Sequence, residues 1–286
     1  VNQSGTSPSF TNASTGTIAV SAGRTFDVNS GTLDLSAGLV SGFTGTLNTS
    51  GVSPLLFSTA TVQPRLTLNT TTIPGTYTIP AGDSLVLVNG SPTMTLVNNG
   101  RLVVLGSVAL GGTITTSATS VIEPRGTDAY THATATFAAG FTNNGQIQLT
   151  SVGPVSGYSS TLAVTTGTLT NAAGGTITAV ASAFGSRTLA AALNNQGTVA
   201  LPMALSLTKA SAAHVNSGTI NVTGGTFTVT QSGTSPSFTN TGTIAVSAGR
   251  TFDVNNGTLD LSAGLVTGTT GTLNTSAVNP LLFSTA

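Results

Sequence analysis

Glu123, Arg125, Asp128 and His132 form the one dense cluster of titratable side chains in the chain, within Glu123-Pro-Arg-Gly-Thr-Asp128 and the four residues after it. Two carboxylates and an imidazole at such spacing could supply a general acid and a general base. The plainer expectation is a solvated ion pair on a protruding loop. A second group consists of Asp27 and Asp34, repeated as Asp253 and Asp260, on outward strand positions seven residues apart. Arg24 and Arg250 precede Asp27 and Asp253 by three residues, so a local ion pair is expected there too.

Other chemistry is absent from the text. His132 and His214 stand alone in sequence, and no cysteine is present, so no metal-ligand set is spelled out. There is no phosphate-cradling Gly-Lys-Ser/Thr word, no nucleophile elbow and no Gly-Gly-x-Gly-x-Asp calcium repeat. An intramolecular Lys–Asn isopeptide staple would have to use Lys209, the sole lysine. The expectation is therefore no catalytic, metal or cofactor-binding residue and no cofactor. Charged residues make up 5% of the chain and the net charge is zero, whereas threonine makes up roughly a fifth. A neutral surface offers nothing to nucleic acid or anionic lipid. No apolar run approaches the roughly 18 residues of a membrane span, so neither nucleic acid nor membrane insertion is expected.

The elements that must position these residues are short strands. Ser9–Thr11, Thr17–Val20, Thr25–Val28, Thr32–Leu35, Leu39–Val40, Thr46–Asn48 and Leu55–Phe57 are separated by Gly, Asn or Ser turns. Ile18, Val20, Phe26, Val28, Leu33 and Leu35 face one way, and Thr17, Ala19, Thr25, Asp27, Thr32 and Asp34 the other. Asn-Gly pairs suit turns with φ > 0. Residues 61–140 are the least regular. Pro64, Pro74, Pro80, Pro92 and Pro124 fall between apolar runs there, where proline belongs at corners. Longer corners are expected, with residues 123–128 the protruding loop. Residues 181–193 are the one helix-like stretch, weakened by Gly185 and Ser186.

A repeat at two scales organises these strands. Gly16–Ala60 recurs as Gly242–Ala286, 226 residues later, with differences at Ser30/Asn256, Ser41/Thr267, Phe43/Thr269, Gly51/Ala277 and Ser53/Asn279. Upstream, Gln3–Asn12 recurs as Gln231–Asn240 at an offset of 228, which places a two-residue insertion in the turn at residues 13–15. Within this long repeat runs a shorter one: Asn, a spacer, Gly, Thr and alternating apolar positions. Its glycines at 175, 197, 218 and 242 step by 22, 21 and 24 residues. A period of about 20 to 25 residues built from period-two strands marks a solenoid. Asn143, Asn171, Asn195, Asn216 and Asn240 then occupy one corner, where stacked amides can hydrogen-bond along the axis.

These words, FTNTGTIAVSAGRTFDVNNGTLDLSAGL and IPAGDSLVLVNG, resemble the repeat regions of large secreted bacterial β-solenoid proteins, including filamentous-haemagglutinin-like adhesins and autotransporter passengers. The resemblance covers nearly all of the chain and is weakest over 61–140. It implies an all-β, right-handed parallel β-helix (β-solenoid) with three-sided coils. It implies export to the extracellular cell surface and a structural role as rod, fibre or filament, adhesive or matrix-forming, with cell-surface or matrix glycans as possible partners. Lack of cysteine agrees with such an address. Pectin-cleaving lyases and hydrolases share this architecture, so a carbohydrate-active enzyme using the Glu123–His132 cluster is the alternative. An ice-binding solenoid is a minor one, motivated by scattered Thr-x-Thr words such as Thr113-Ile-Thr115 and Thr176-Ile-Thr178.

Residues 1–286 are expected to form one continuous solenoid, an excerpt of a tandem array with residues 1–60 equivalent to 229–286. About 22 residues per coil gives on the order of 13 coils, roughly 60 Å long, with an axial repeat of about ten coils. Neither end reads as a cap, so continuation as one giant tandem-repeat polypeptide, or end-to-end self-association, is expected.

Overall fold

Parallel sheets are ordinarily buried on both faces and read as continuous apolar runs. Strands that alternate Val or Ile with Thr and still pair in parallel must therefore wrap a core that covers one face only. The computed structural model does this. It describes residues 1–41, 45–57, 65–153, 157–182, 184–268 and 270–283, and among these every element is a strand. Pro64 lies outside the described residues. The chain forms a β-solenoid of about twelve coils, whose strands pair in parallel with those of the neighbouring coils along three faces, here called sheets I, II and III.

Sheet I is the continuous one. Its ladder starts at Thr25–Asn29 and passes through Thr46–Ser50, Arg65–Asn69, Ser84–Gly90, Arg101–Leu110, Val121–Thr127 and Gln146–Val152. It continues through Thr176–Ala179, Thr198–Leu201, Thr219–Val222 and Thr243–Val246 to Leu265–Thr267. Sheet II follows sheet I along the chain, in Leu205–Ala210, Thr226–Ser232, Thr251–Asn255 and Thr272–Ser276. Sheet III comes next, in Ala213–Asn216, Ser237–Asn240, Thr258–Leu261 and Leu281–Phe283. Three long strands, Ala133–Asn143, Ser160–Asn171 and Arg187–Asn195, bend from sheet II into sheet III and give rungs to both.

The interior is a column of aliphatic and aromatic side chains. On sheet I, Leu85, Leu102, Ile122, Ile147, Ile177, Val199, Ile220 and Ile244 stack in register, all buried. Phe227 and Phe252 stack on adjacent rungs of sheet II, rings 5.4 Å apart and 12° from parallel, with Phe238 of sheet III against both. Burying each such side chain contributes about 1.5 to 3 kcal/mol. Of the positions expected to face inward, Val20, Val28, Leu33 and Leu35 are buried, whereas Ile18 and Phe26 are partly covered. Their repeat mates Ile244 and Phe252 are fully buried. The same text reaches full burial only where a coil lies on either side.

The irregular segment departs from expectation in several places. Its coils are short: matched sheet I positions step by 19 (Leu47 to Leu66), 19 (Leu66 to Leu85) and 17 (Ser84 to Arg101) residues. The long coils come later, at 25 (Val121 to Gln146) and 30 (Gln146 to Thr176). Short and long coils offset each other, so the mean step from Thr25 to Leu265 stays at about 22 residues, and the coils number about twelve against the expected thirteen. Glu123-Pro-Arg is not a loop. It lies within Val121–Thr127, where Pro124 pairs with Val104, and the projecting segment begins only at residue 127. Residues 187–193 of the helix-like stretch belong to a strand, because Leu189, Ala191 and Leu193 alternate inward at period two.

Candidate functional site

The corner between sheets III and I carries the recurring asparagine. Asn143, Asn171, Asn195, Asn216 and Asn240 are buried and stacked in register. Each Nδ2 donates to the Oδ1 of the next, at 2.8, 2.7, 2.7 and 2.7 Å. The same Nδ2 donates to the carbonyl of the following glycine and to a carbonyl one coil on, as Asn195 does to Gly197 and Thr219. The expected amide ladder is therefore present and unidirectional. Its first acceptor, Asn143 Oδ1, is buried with no partner.

Glycine follows for a reason that the turn argument missed. Gly197, Gly218 and Gly242 do not have positive φ; a methyl on any of them would fall on the carbonyl oxygen of the glycine one coil earlier. That oxygen accepts from the threonine N–H of the next coil, as in Thr219 N to Gly197 O at 2.8 Å. Positive φ is used elsewhere, at Ser30-Gly31 and its mate Asn256-Gly257.

The titratable cluster separates into two parts. Glu123 projects outward from sheet I, yet it is 3% exposed because two guanidiniums close over it. Arg101 donates to its Oε2 from Nε at 2.7 Å and from Nη2, and Arg125 donates to Oε1 at 2.7 Å and Oε2 at 2.6 Å. These are the two ion pairs among the described residues. Arg101, one coil away, is the partner that sequence adjacency could not reveal. Asp128 and His132 lie on the projecting segment instead, and His132 Nδ1 accepts from Ser159 N–H at 2.9 Å. The expected Arg24–Asp27 and Arg250–Asp253 pairs give way to amides: Asn48 donates to Asp27 at 2.7 Å and Asn274 to Asp253 at 2.6 Å. Asp34 and Asp260 each accept from a serine two residues on, which lowers their carboxyl pKa.

On the corner between sheets I and II, residues 126–132, 157–159 and 184–186 stack on one another. Thr127 and Thr131 bridge antiparallel across the first. Tyr158 packs edge-on against His132 at 6.1 Å, and Ser186 Oγ lies 2.8 Å from Ser159 Oγ. Tyr130 and Phe184 are 37% and 52% exposed. Two of the three exposed aromatic side chains among the described residues lie here, the third being Phe283 on the last rung of sheet III. Tyr158 and Phe184 were not singled out from sequence; each interrupts the alternating pattern beside a glycine, which is the signal available. Beneath the loops Arg187, 1% exposed, donates to Val180 O and Ser182 Oγ, and burial lowers its pKa.

His214 faces inward on sheet III, 1% exposed, against Phe238. Its Nδ1 accepts from Leu193 N–H and its Nε2 is unpartnered, so burial pushes its pKa down to about 4. The outward threonines 176, 198, 219 and 243 make a single file, flanked by Thr178, Ala200, Asn221 and Ala245, so no Thr-x-Thr row continues there. No cluster of three or more potential metal ligands occurs among the described residues. None of their elements is a helix long and apolar enough to cross a membrane. No protein-family model matches this sequence, and comparison with curated proteins and with solved structures finds no match.

Proposed function

We propose that this chain is a segment of an extracellular structural fibre, a tandem β-solenoid of the filamentous-haemagglutinin-like or autotransporter kind, with no catalytic role. The observation that carries this reading is the pairing of the two repeat copies. Thr25↔Thr46 recurs as Thr251↔Thr272, Thr17↔Leu39 as Thr243↔Leu265, and Leu33↔Leu55 as Leu259↔Leu281. One text builds one set of rungs wherever it occurs, as a tandem array requires. The copies also supply a comparison of covered and uncovered coils. Leu47 and Leu55 are buried by following coils, whereas their mates Leu273 and Leu281 are only partly buried. A further coil with the text of residues 65–79 fits that edge. Oriented fibres of the intact material should diffract strongly near 4.8 Å along the fibre axis. Monodisperse monomers at every concentration, encoded by a gene without flanking repeats, would overturn the reading.

A second reading concerns adhesion. The stacked loops with Tyr130, Tyr158 and Phe184 favour this corner as the adhesive surface, since exposed rings can pack against the apolar faces of sugars. Glycan-array binding that disappears in a Tyr130→Ala/Phe184→Ala chain of unchanged fold would support it. Against the enzyme alternative stands the engagement of both Glu123 oxygens by arginine. Loss of some polysaccharide-cleaving activity in Glu123→Ala, with the fold retained, would revive that alternative.

A further inference from the structure

The long repeat is not a whole number of coils. Thr25 and Thr243 stand on the same sheet I ladder, ten steps apart through rungs at residues 46, 65, 84, 101, 121, 146, 176, 198 and 219. The repeat mate of Thr25 is Thr251, since 25 + 226 = 251, and Thr251 pairs with Thr226 on sheet II. The other mates shift likewise. Thr32–Leu35 follows sheet I directly, in the place of sheet II, whereas its mate Thr258–Leu261 is in sheet III. Thr17–Ala19 precedes sheet I, in the place of sheet III, and its mate strand Thr243–Val246 is in sheet I.

We infer that each long repeat comprises ten coils and one further face, so that successive repeats in the array are turned by one side of the prism. This rests on the tandem-array reading above. Its consequence is that the same corner comes round to every side of the rod. The loop-bearing corner of residues 126–132 and 184–186 lies between sheets I and II in this repeat, between II and III in the next, and between III and I in the one after. The asparagine ladder moves in the same way, from the corner of sheets III and I to that of I and II. A full cycle takes three repeats, or 3 × 10 + 1 = 31 coils, about 150 Å at the spacing of sheets. A repeat of ten whole coils would present that corner on one side alone.

The test uses the full chain, extended by a second copy of residues 61–286 so that three mates of one turn are present. Ala22, Ala248 and the alanine equivalent to them in the added copy are replaced by cysteine. All occupy exposed turn positions in a protein without other cysteines, so gold-cluster labels report only these sites. Single-particle electron microscopy then gives the side on which each cluster sits. A control rod labelled at Ala22→Cys and Thr241→Cys, which occupy the same corner ten coils apart, measures any gradual twist of the coils. After subtracting that twist, the expected result is three clusters about 50 Å apart axially, each displaced by a third of a turn from the last. Three clusters in line would overturn the inference while leaving the fibre reading intact. A chain that gains no length on extension would instead overturn the fibre reading.

Discussion

A buried imidazole makes the sharpest prediction for a single side chain. His214 has its pKa pushed down to about 4 by burial, whereas in the unfolded chain it titrates near 6.5. The unfolded state therefore binds the extra proton first. The stability associated with neutral His214 is full above about pH 6.5, and it is lost as pH falls toward 4, by about 3 kcal/mol in total. Replacement by phenylalanine, the residue one rung away at Phe238, should flatten that part of the stability–pH curve. Chemical denaturation of both proteins at pH 7.5 and 4.5 gives the comparison, and equal losses would refute it. The amide ladder permits a paired experiment. Asn195→Ala removes the acceptor of Asn171 and the donor to Asn216 in a buried site, and should cost about 3 kcal/mol. Asn143→Ala removes a donor to Asn171 but no acceptor in use, since its own oxygen has no partner, and should cost less.

Among the elements, the corners discriminate most strongly between one residue and its neighbour. Gly174 has open space around it, whereas a methyl on Gly175 meets Asn143 O and lies 2.6 Å from Asn171 Oδ1. Gly174→Ala should be neutral or slightly stabilising, and Gly175→Ala should cost about 2 kcal/mol or more. Thermal melts of the two variants suffice, and similar values would refute the close-packing account. These corners also mark how far the sequence could be read. Strands were legible because the core covers only one face, so period-two alternation survives in parallel sheets, and the ladder was legible because an Asn recurs two to four residues ahead of the glycine in each of these coils. Contacts between coils were not. Arg101 reaching Glu123, His132 meeting Ser159, and Asn48 taking the place of Arg24 beside Asp27 all join residues 21 to 27 positions apart whose register depends on each coil's length. Pro124 misled for a related reason: proline reads as a corner, but one missing N–H is tolerated where the pairing with the next strand skips from Ile122 to Arg125.

For the whole molecule, the scarcity of charge has a direct consequence. Both ion pairs among the described residues end on Glu123, so stability should change little between low and moderate salt. A melting temperature that moved strongly with sodium chloride at pH 7 would contradict this. The direction of the backbone has another. Covalent chain runs around the prism and hydrogen bonds run along it, so an axial pull acts on the bonds between rungs and loads the backbone only after they part. Such a tether does not break at its limit; it pays out chain. A coil of 22 residues, such as Thr176 to Thr198, holds about 70 Å of extended chain within one rung of about 5 Å. Single-molecule stretching should give steps of that order. The short coils of residues 47–101, which lie outside the amide ladder, should yield first, and the laddered coils of residues 143–240 should hold until the force is higher.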